Sequence, residues 1–219
     1  MVTFQVLFHF FEYNSRMSAL SIVLQAGGQS TRMGEDKGLM SFGQGSLVEF
    51  ILEQVEGLGD EILVVSNQPE AYTFLGFPVY TDVLPGIGAL GGLLTALTYA
   101  NSDAALVLAC DMPFVNRDMI DYMIDHLPGN DVVVPVYGDK NFIETFRGVY
   151  AKACLTSVKK AVAAGKRRAI AFHPNVRVRL ISPEEVERFD PDGRSFINVN
   201  TPEEYQHALD LLDDQQFRK

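Results

Sequence analysis

"ALSIVLQAGGQSTRMGEDKG", residues 19–38, passes from an apolar run into a glycine-rich loop that carries two cations. Leu20 to Leu24 holds only Ser21 as a polar interruption, the pattern of a short strand buried on both faces of a parallel sheet. Gly27 and Gly28 then let the backbone bend and bring consecutive N–H groups near an anion. Arg32 offers a planar fork of donors and Lys37 a mobile point charge. The spacing from Gly28 to Gly34 is wrong for a P-loop, no Gly-Lys-Ser/Thr follows, and GxGxxG is absent. A plainer reading stands beside the phosphate one: a solvated turn in which Arg32 and Lys37 pair with Glu35 and Asp36.

Outward from this stretch, apolar runs alternate with helical patterns. Strands are expected over 20–25, 61–66, 78–81, 104–109, 131–136, 144–150 and 175–181. Helices are expected over 46–58, 89–100, 116–127 and 151–164, the last closed by a left-handed Gly165. Ser46-x-x-Glu49, Ser182-x-x-Glu185 and Thr201-x-x-Glu204 fit the capping box, the last two with proline at the first helical position. The alternation predicts one α/β domain, a three-layer α/β/α Rossmann-like unit on a mostly parallel sheet, over residues 17–219. No internal repeat or low-complexity linker divides it.

The chain has 219 residues and a formal net charge of −10. That balance speaks against nucleic-acid or anionic-membrane partners, which need a positive surface. Two cysteines without CxxC or Cys/His clustering point to neither zinc nor a disulfide framework, and fit a reduced, cytoplasmic setting. Residues 1–16 are aromatic and apolar, without a basic leader or cleavage signal, and are expected to be a dispensable extension before Met17.

Ligands of such sheets bind beyond the carboxyl ends of the strands, so those loops matter most. Asp111, at the exit of "AALVLAC", suits a Mg²⁺ ion, which takes one or two carboxylates plus phosphate oxygens; equally it suits a turn cap before Pro113. "TDVLPGIGALGG" (81–92) gathers glycines at a helix start, for backbone approach to a ligand or for close packing on the sheet. Its Asp82 can accept two hydrogen bonds, as a guanine edge requires. In "FINVNTP" (196–202), Asn198 and Asn200 share one side of an extended segment, for a metal shell or an Asx turn.

These residues also carry a resemblance. "LQAGGQSTRMGEDKG" is similar to the signature of nucleotidyltransferases with the nucleotide-diphospho-sugar transferase fold. Together with "D82…GALGGL", "CDMPF" and "NVNTPEEY", it most resembles the molybdenum cofactor guanylyltransferase branch, over roughly Leu20 to Leu211. The resemblance implies transfer of GMP from GTP to the terminal phosphate of molybdopterin, with release of pyrophosphate and with Mg²⁺ as cofactor. Arg32 and Lys37 would neutralise the triphosphate, beside the Gln25, Ala26, Gly27 and Gly28 backbone. Asp111 would bind Mg²⁺ with Asn198 or Asn200 nearby, and Asp82 and Asn67 would face the guanine. Lys166-Arg167-Arg168 resembles a segment near the pterin, or is a solvated helix end. GTP and molybdopterin are the implied partners, with room for a pterin-delivery protein or an acceptor-enzyme chaperone. Gln25 stands where the branch usually has leucine, and residues 141–146 lack a proline common there. The alternatives are a cytidylyltransferase on the same pterin, another small-phosphate nucleotidyltransferase, and a GTP-binding module without catalysis.

Overall fold

The computed structural model describes residues 19–26, 36–138, 140 and 142–216, with side chains of the last helix described through Asp213. Residues 1–16, Gly27, Gly28 and Arg32, all singled out above, lie outside the described residues, as does Asn141.

Five of the expected strands form close to where the apolar runs lie: β1 (Leu20–Gln25), β4 (Glu61–Val65), β5 (Val79–Tyr80), β6 (Ala104–Ala109) and β7 (Val132–Tyr137). Two short strands pair as a hairpin, β2 (Ser41–Phe42) and β3 (Gly45–Ser46), and a third, β8 (Phe142–Ile143), pairs with the end of β7. Runs of two residues have no periodicity to read, which is why the sequence does not signal them. β9 (Arg147–Ala151) starts three residues later than expected, and β10 (Val178–Ile181) likewise, because Ala169–Asn175 winds as a 3-10 turn.

The sheet runs β10-β7-β9-β6-β1-β4-β5. β1 pairs in parallel with both β4 and β6, β4 with β5, and β10 with β7. β9 alone along that path is antiparallel, to β6 and to β7. The chain therefore winds from β1 to one side through β4 and β5, then crosses back to place β6 on the other side of β1. The carboxyl ends of β1 and β6 flank that reversal, where crevices open in sheets of this kind.

The helices α1 (Leu47–Val55), α2 (Ala89–Tyr99), α3 (Arg117–Asp125), α4 (Leu155–Ala163), α5 (Pro183–Glu187) and α6 (Pro202–Gln216) complete the layers. All three expected capping boxes form: Ser46 with Glu49, Ser182 with Glu185 and Thr201 with Glu204. Val48, Ile51, Leu52 and Val55 of α1 and Met119, Ile120 and Met123 of α3 cover one face of the sheet, against Ile22, Leu24, Leu106 and Leu108. Leu90, Leu93, Leu94 and Leu97 of α2 and Val158 of α4 cover the other, against Val23, Leu63 and Val107. Each fully buried aliphatic side chain contributes about 1.5–3 kcal/mol, so both faces must be roofed. α4 closes as expected, with Gly165 at φ +72°. α6 packs on the hairpin through Ala208, Leu212, Phe42, Leu47 and Val199. That contact lays α6 over the hairpin.

Candidate nucleotide-transfer site

A cleft of about 800 Å³ opens along the carboxyl edge of the sheet. The strand order sets out its walls. Asn67 and Asp82 follow β4 and β5 on one flank, Gln25 ends β1 and Asp111 follows β6 at the centre, and Glu144 and Phe146 precede β9 on the other flank. Lys37, Asn198 and Asn200 complete the centre, and Gly88 and Ala89 bring the first turn of α2 to it.

Lys37 opens a 3-10 turn that Asp36 caps by accepting the Gly38 N–H at 3.1 Å. The buried Tyr72 hydroxyl donates to the same Asp36 oxygen at 2.6 Å, anchoring the turn in the core. Lys37 Nζ then reaches across the chain to donate to Asn200 Oδ1 at 2.7 Å. Asn198 and Asn200 both face the cleft because Val199 between them is fully buried. The Val199 N–H donates to the Asp111 carbonyl at 2.7 Å, so these two loops are pinned side by side. Burial pushes the Asp111 carboxyl above its ordinary range, with Lys37 and Arg147 opposing the shift.

The other flank is more open. Asn67 Nδ2 donates to Asp82 Oδ2 at 3.2 Å. The Thr95 hydroxyl, which accepts the Val83 N–H at 3.0 Å, lies 3.3 Å from Asp82 Oδ1. The glycine loop divides its work. Gly88, at φ +77°, occupies the left-handed region at the start of α2, which a side chain rarely adopts. Gly92 instead permits close packing, since a Cβ there would lie 2.9 Å from Gln25 Oε1. The Gln25 side chain donates to the Gly92 carbonyl at 3.1 Å, so its amide braces α2 against β1. Ala26 is fully buried and donates its N–H to the Val65 carbonyl at 2.8 Å, extending β1 rather than facing the cleft. Of Lys166-Arg167-Arg168, it is the Arg167 carbonyl that meets α2, accepting the Leu90 N–H at 3.0 Å, while the three side chains are exposed.

Two residues escaped the sequence reading. Glu144 lines the cleft, its Oε1 accepts the Phe146 N–H at 3.0 Å, and burial raises its pKa. Arg147 is fully buried and donates to the carbonyls of Phe114 at 2.9 Å and Met112 at 3.1 Å. Both belong to the run expected to be a strand from residue 144. The available signal was an arginine and a glutamate inside an otherwise apolar and aromatic segment.

The centre of the cleft is lined by oxygen donors, the Asp111 carboxylate and the side-chain carbonyls of Asn198 and of Asn200, the last of which takes the Lys37 ammonium. That donor set suits a hard cation such as Mg²⁺. Among the described residues no cluster of three or more His, Cys, Asp or Glu could hold a metal alone. A cation here would complete its shell from ligand phosphates and water.

A family model described as "MobA-like NTP transferase domain" matches residues 22–178. The chain is 33% identical to a probable molybdenum cofactor guanylyltransferase of Carboxydothermus hydrogenoformans, covering 90% of this chain and 98% of that one. It is 34% identical to the molybdenum cofactor guanylyltransferase of Syntrophotalea carbinolica, over 85% and 89%. Its fold matches the crystal structure of molybdopterin-guanine dinucleotide biosynthesis protein A from Archaeoglobus fulgidus, with TM-score 0.75 and 22% identity, covering 89% and 99%.

Proposed function

Because this chain belongs to the MobA-like NTP transferase family, we propose that it transfers GMP from GTP to the terminal phosphate of molybdopterin and releases pyrophosphate. The observation that carries the reading is the meeting of Lys37, Asp111, Asn198 and Asn200 at the strand-order reversal, in a chain whose relatives bear the guanylyltransferase name.

The nucleophile is a phosphate oxygen, already an anion, so no side chain need remove a proton. Positioning and charge neutralisation supply the catalysis. Lys37, held at the centre of the cleft by Asn200, is placed to turn its ammonium to the triphosphate as charge passes to the departing pyrophosphate. Arg32 would join it from the same loop. Asp111, with Asn198 and Asn200, would hold Mg²⁺, which when bound would screen the phosphates and polarise phosphoryl oxygens as a Lewis acid. On the open flank, Asp82 presents acceptors for the N1–H and N2–H₂ of guanine, and its bond from Asn67 fixes its orientation. The first turn of α2 at Gly88 and Ala89 adds the positive end of a helix dipole. The acidic surface needs these local cations, since a triphosphate would otherwise be repelled. Cys110 and Cys154 are both free and buried, which supports a reducing, cytoplasmic setting.

The test is pyrophosphate release by the full chain with Mg²⁺ and molybdopterin, comparing GTP with CTP and ATP. Preferential release from GTP is the expected result. Preference for CTP would keep the reaction and overturn the reading of Asp82; no release with any nucleotide would overturn the acceptor.

A further inference from the structure

The segment that carries Asp111 is held from two sides. Gln54 of α1 accepts the Val115 N–H at 2.9 Å and donates to the Pro113 carbonyl at 2.8 Å. From the sheet beneath, Arg147 takes the carbonyls on either side of that proline, those of Met112 and Phe114. Arg147 pairs in register with Leu108, at the end of β9 that lies under the cleft.

A guanidinium at 0% exposure is an expensive way to fill a core position between Leu108 and Val149. Its Nε has no partner among the described residues, so hydrogen bonding alone does not account for it. Glu144, Asp190 and Asp111 all act on it electrostatically. Glu144 and Asp111 line the cleft. Asp190 accepts the N–H groups of Arg194 and Ser195, at 2.9 and 2.8 Å, and the Ser195 hydroxyl at 2.5 Å. It thereby shapes the 3-10 turn Arg194–Phe196 that leads straight into Asn198-Val199-Asn200. Arg147 thus lies beneath the Asp111 loop, which the Val199 N–H ties to the Asn198–Asn200 loop.

We infer that Arg147 is a positioning residue for this site, a buried cation that fixes the Asp111 segment by its two carbonyl bonds and, through the Val199 N–H bond to the Asp111 carbonyl, the segment that delivers Asn198 and Asn200. The inference rests on the proposed role of Asp111 in holding a divalent cation, but its local claim concerns the loops themselves. Lysine would supply the charge without the planar fork that spans two carbonyls. Methionine would supply neither.

The experiment uses the full chain as wild type, Arg147→Met and Arg147→Lys, with two readouts besides turnover. Hydrogen exchange of the Val199 amide reports the junction of the loops through its bond to Asp111. Electron paramagnetic resonance of Mn²⁺ reports divalent-ion affinity. In Arg147→Met, Val199 exchange should accelerate by about ten- to a hundredfold, the scale set by losing hydrogen bonds to a charged group, while the Ile22 and Leu106 amides stay protected. Mn²⁺ affinity should fall by a similar factor, and Arg147→Lys should recover part of both. Folded variants with wild-type Val199 exchange and Mn²⁺ affinity would overturn the inference. Should Arg147→Met fail to fold, Arg147→Lys decides: wild-type behaviour in both readouts would reduce Arg147 to a core cation. If the wild type itself binds no Mn²⁺, the metal reading of Asp111 falls, and Val199 exchange alone decides whether Arg147 positions the loops.

Discussion

The two edges of the sheet handle charge in opposite ways. At the amino edge Glu61, Asp60 and Asp131 each accept hydrogen bonds within the fold. Glu61 accepts from the Ser21 hydroxyl and from both the backbone and side chain of Asn101, at 2.7 and 2.8 Å. Asp60 accepts the Leu20 N–H at 2.7 Å, and Asp131 takes the Arg177 N–H and two guanidinium bonds. Hydrogen bonds accordingly hold Glu61 and Asp131 below the ordinary carboxylate range, outweighing burial at Glu61. At the carboxyl edge, burial prevails instead and raises Asp111 and Glu144. One edge has finished its electrostatics within the fold. The other leaves carboxylates and a lysine waiting on a ligand, which is what distinguishes a site from a seam.

The largest consequence concerns cations. Lys37→Ala should lower turnover by about 10²–10³, the usual effect of deleting one electrostatic stabiliser, with little change in melting temperature. Arg177→Ala deletes a cation from the opposite edge and should leave kcat and KM at wild-type values. Steady-state pyrophosphate release measures both. Equal turnover in the two variants would mean that the carboxyl edge is not where catalysis happens.

That edge was partly legible beforehand, for a physical reason. Asp111 lies just beyond an apolar run and Lys37 in the loop that follows another, so strand direction sends both to one side, while Asn198 and Asn200 share a side by alternation in an extended segment. The pairing of Lys37 with Asn200, 163 positions apart, depends on α6 folding back over the hairpin, which no local pattern records. Gln25 shows the same limit: the sequence sets its backbone beside the triphosphate, and only the fold shows its side-chain amide bracing α2 at Gly92. The antiparallel sense of β9 had a usable signal. Only residues 138–146 separate β7 from β9, too few for the helical crossover a parallel pair needs. Arg147 was hidden because an arginine on a strand is ordinarily read as facing water, and only the tertiary arrangement shows that this one does not.

The amino edge should respond in stability rather than in rate. Glu61→Ala strips the acceptor from the buried Ser21 hydroxyl and from Asn101, and unsatisfied groups of this kind cost about 1–3 kcal/mol. Denaturant unfolding should show that loss, and pyrophosphate release per folded molecule should be unchanged. A loss of turnover larger than the loss of folded protein would show that the two edges are coupled through β1 and β4.

The smallest effect carries the sharpest sign. Asp111 is raised in the fold, so its favourable contribution is present below the unfolded carboxylate pKa and disappears as pH rises through its folded value. Ionisation of the group is then a burden on the ligand-free protein, and Asp111→Asn should raise the melting temperature once pH exceeds the folded value. For Glu61 the sign reverses. Its folded value is lowered, so its contribution is present above the unfolded carboxylate pKa and disappears as pH falls through the folded value. Melting curves between pH 3 and 8 should therefore show the gap between Asp111→Asn and wild type widening as pH rises. The gap between wild type and Glu61→Ala should narrow as pH falls below about 4, near the ordinary carboxylate value. Parallel profiles for the two variants would mean that the cleft carboxylate is as well satisfied as the one at the seam, and the distinction between the edges would fail on its own terms.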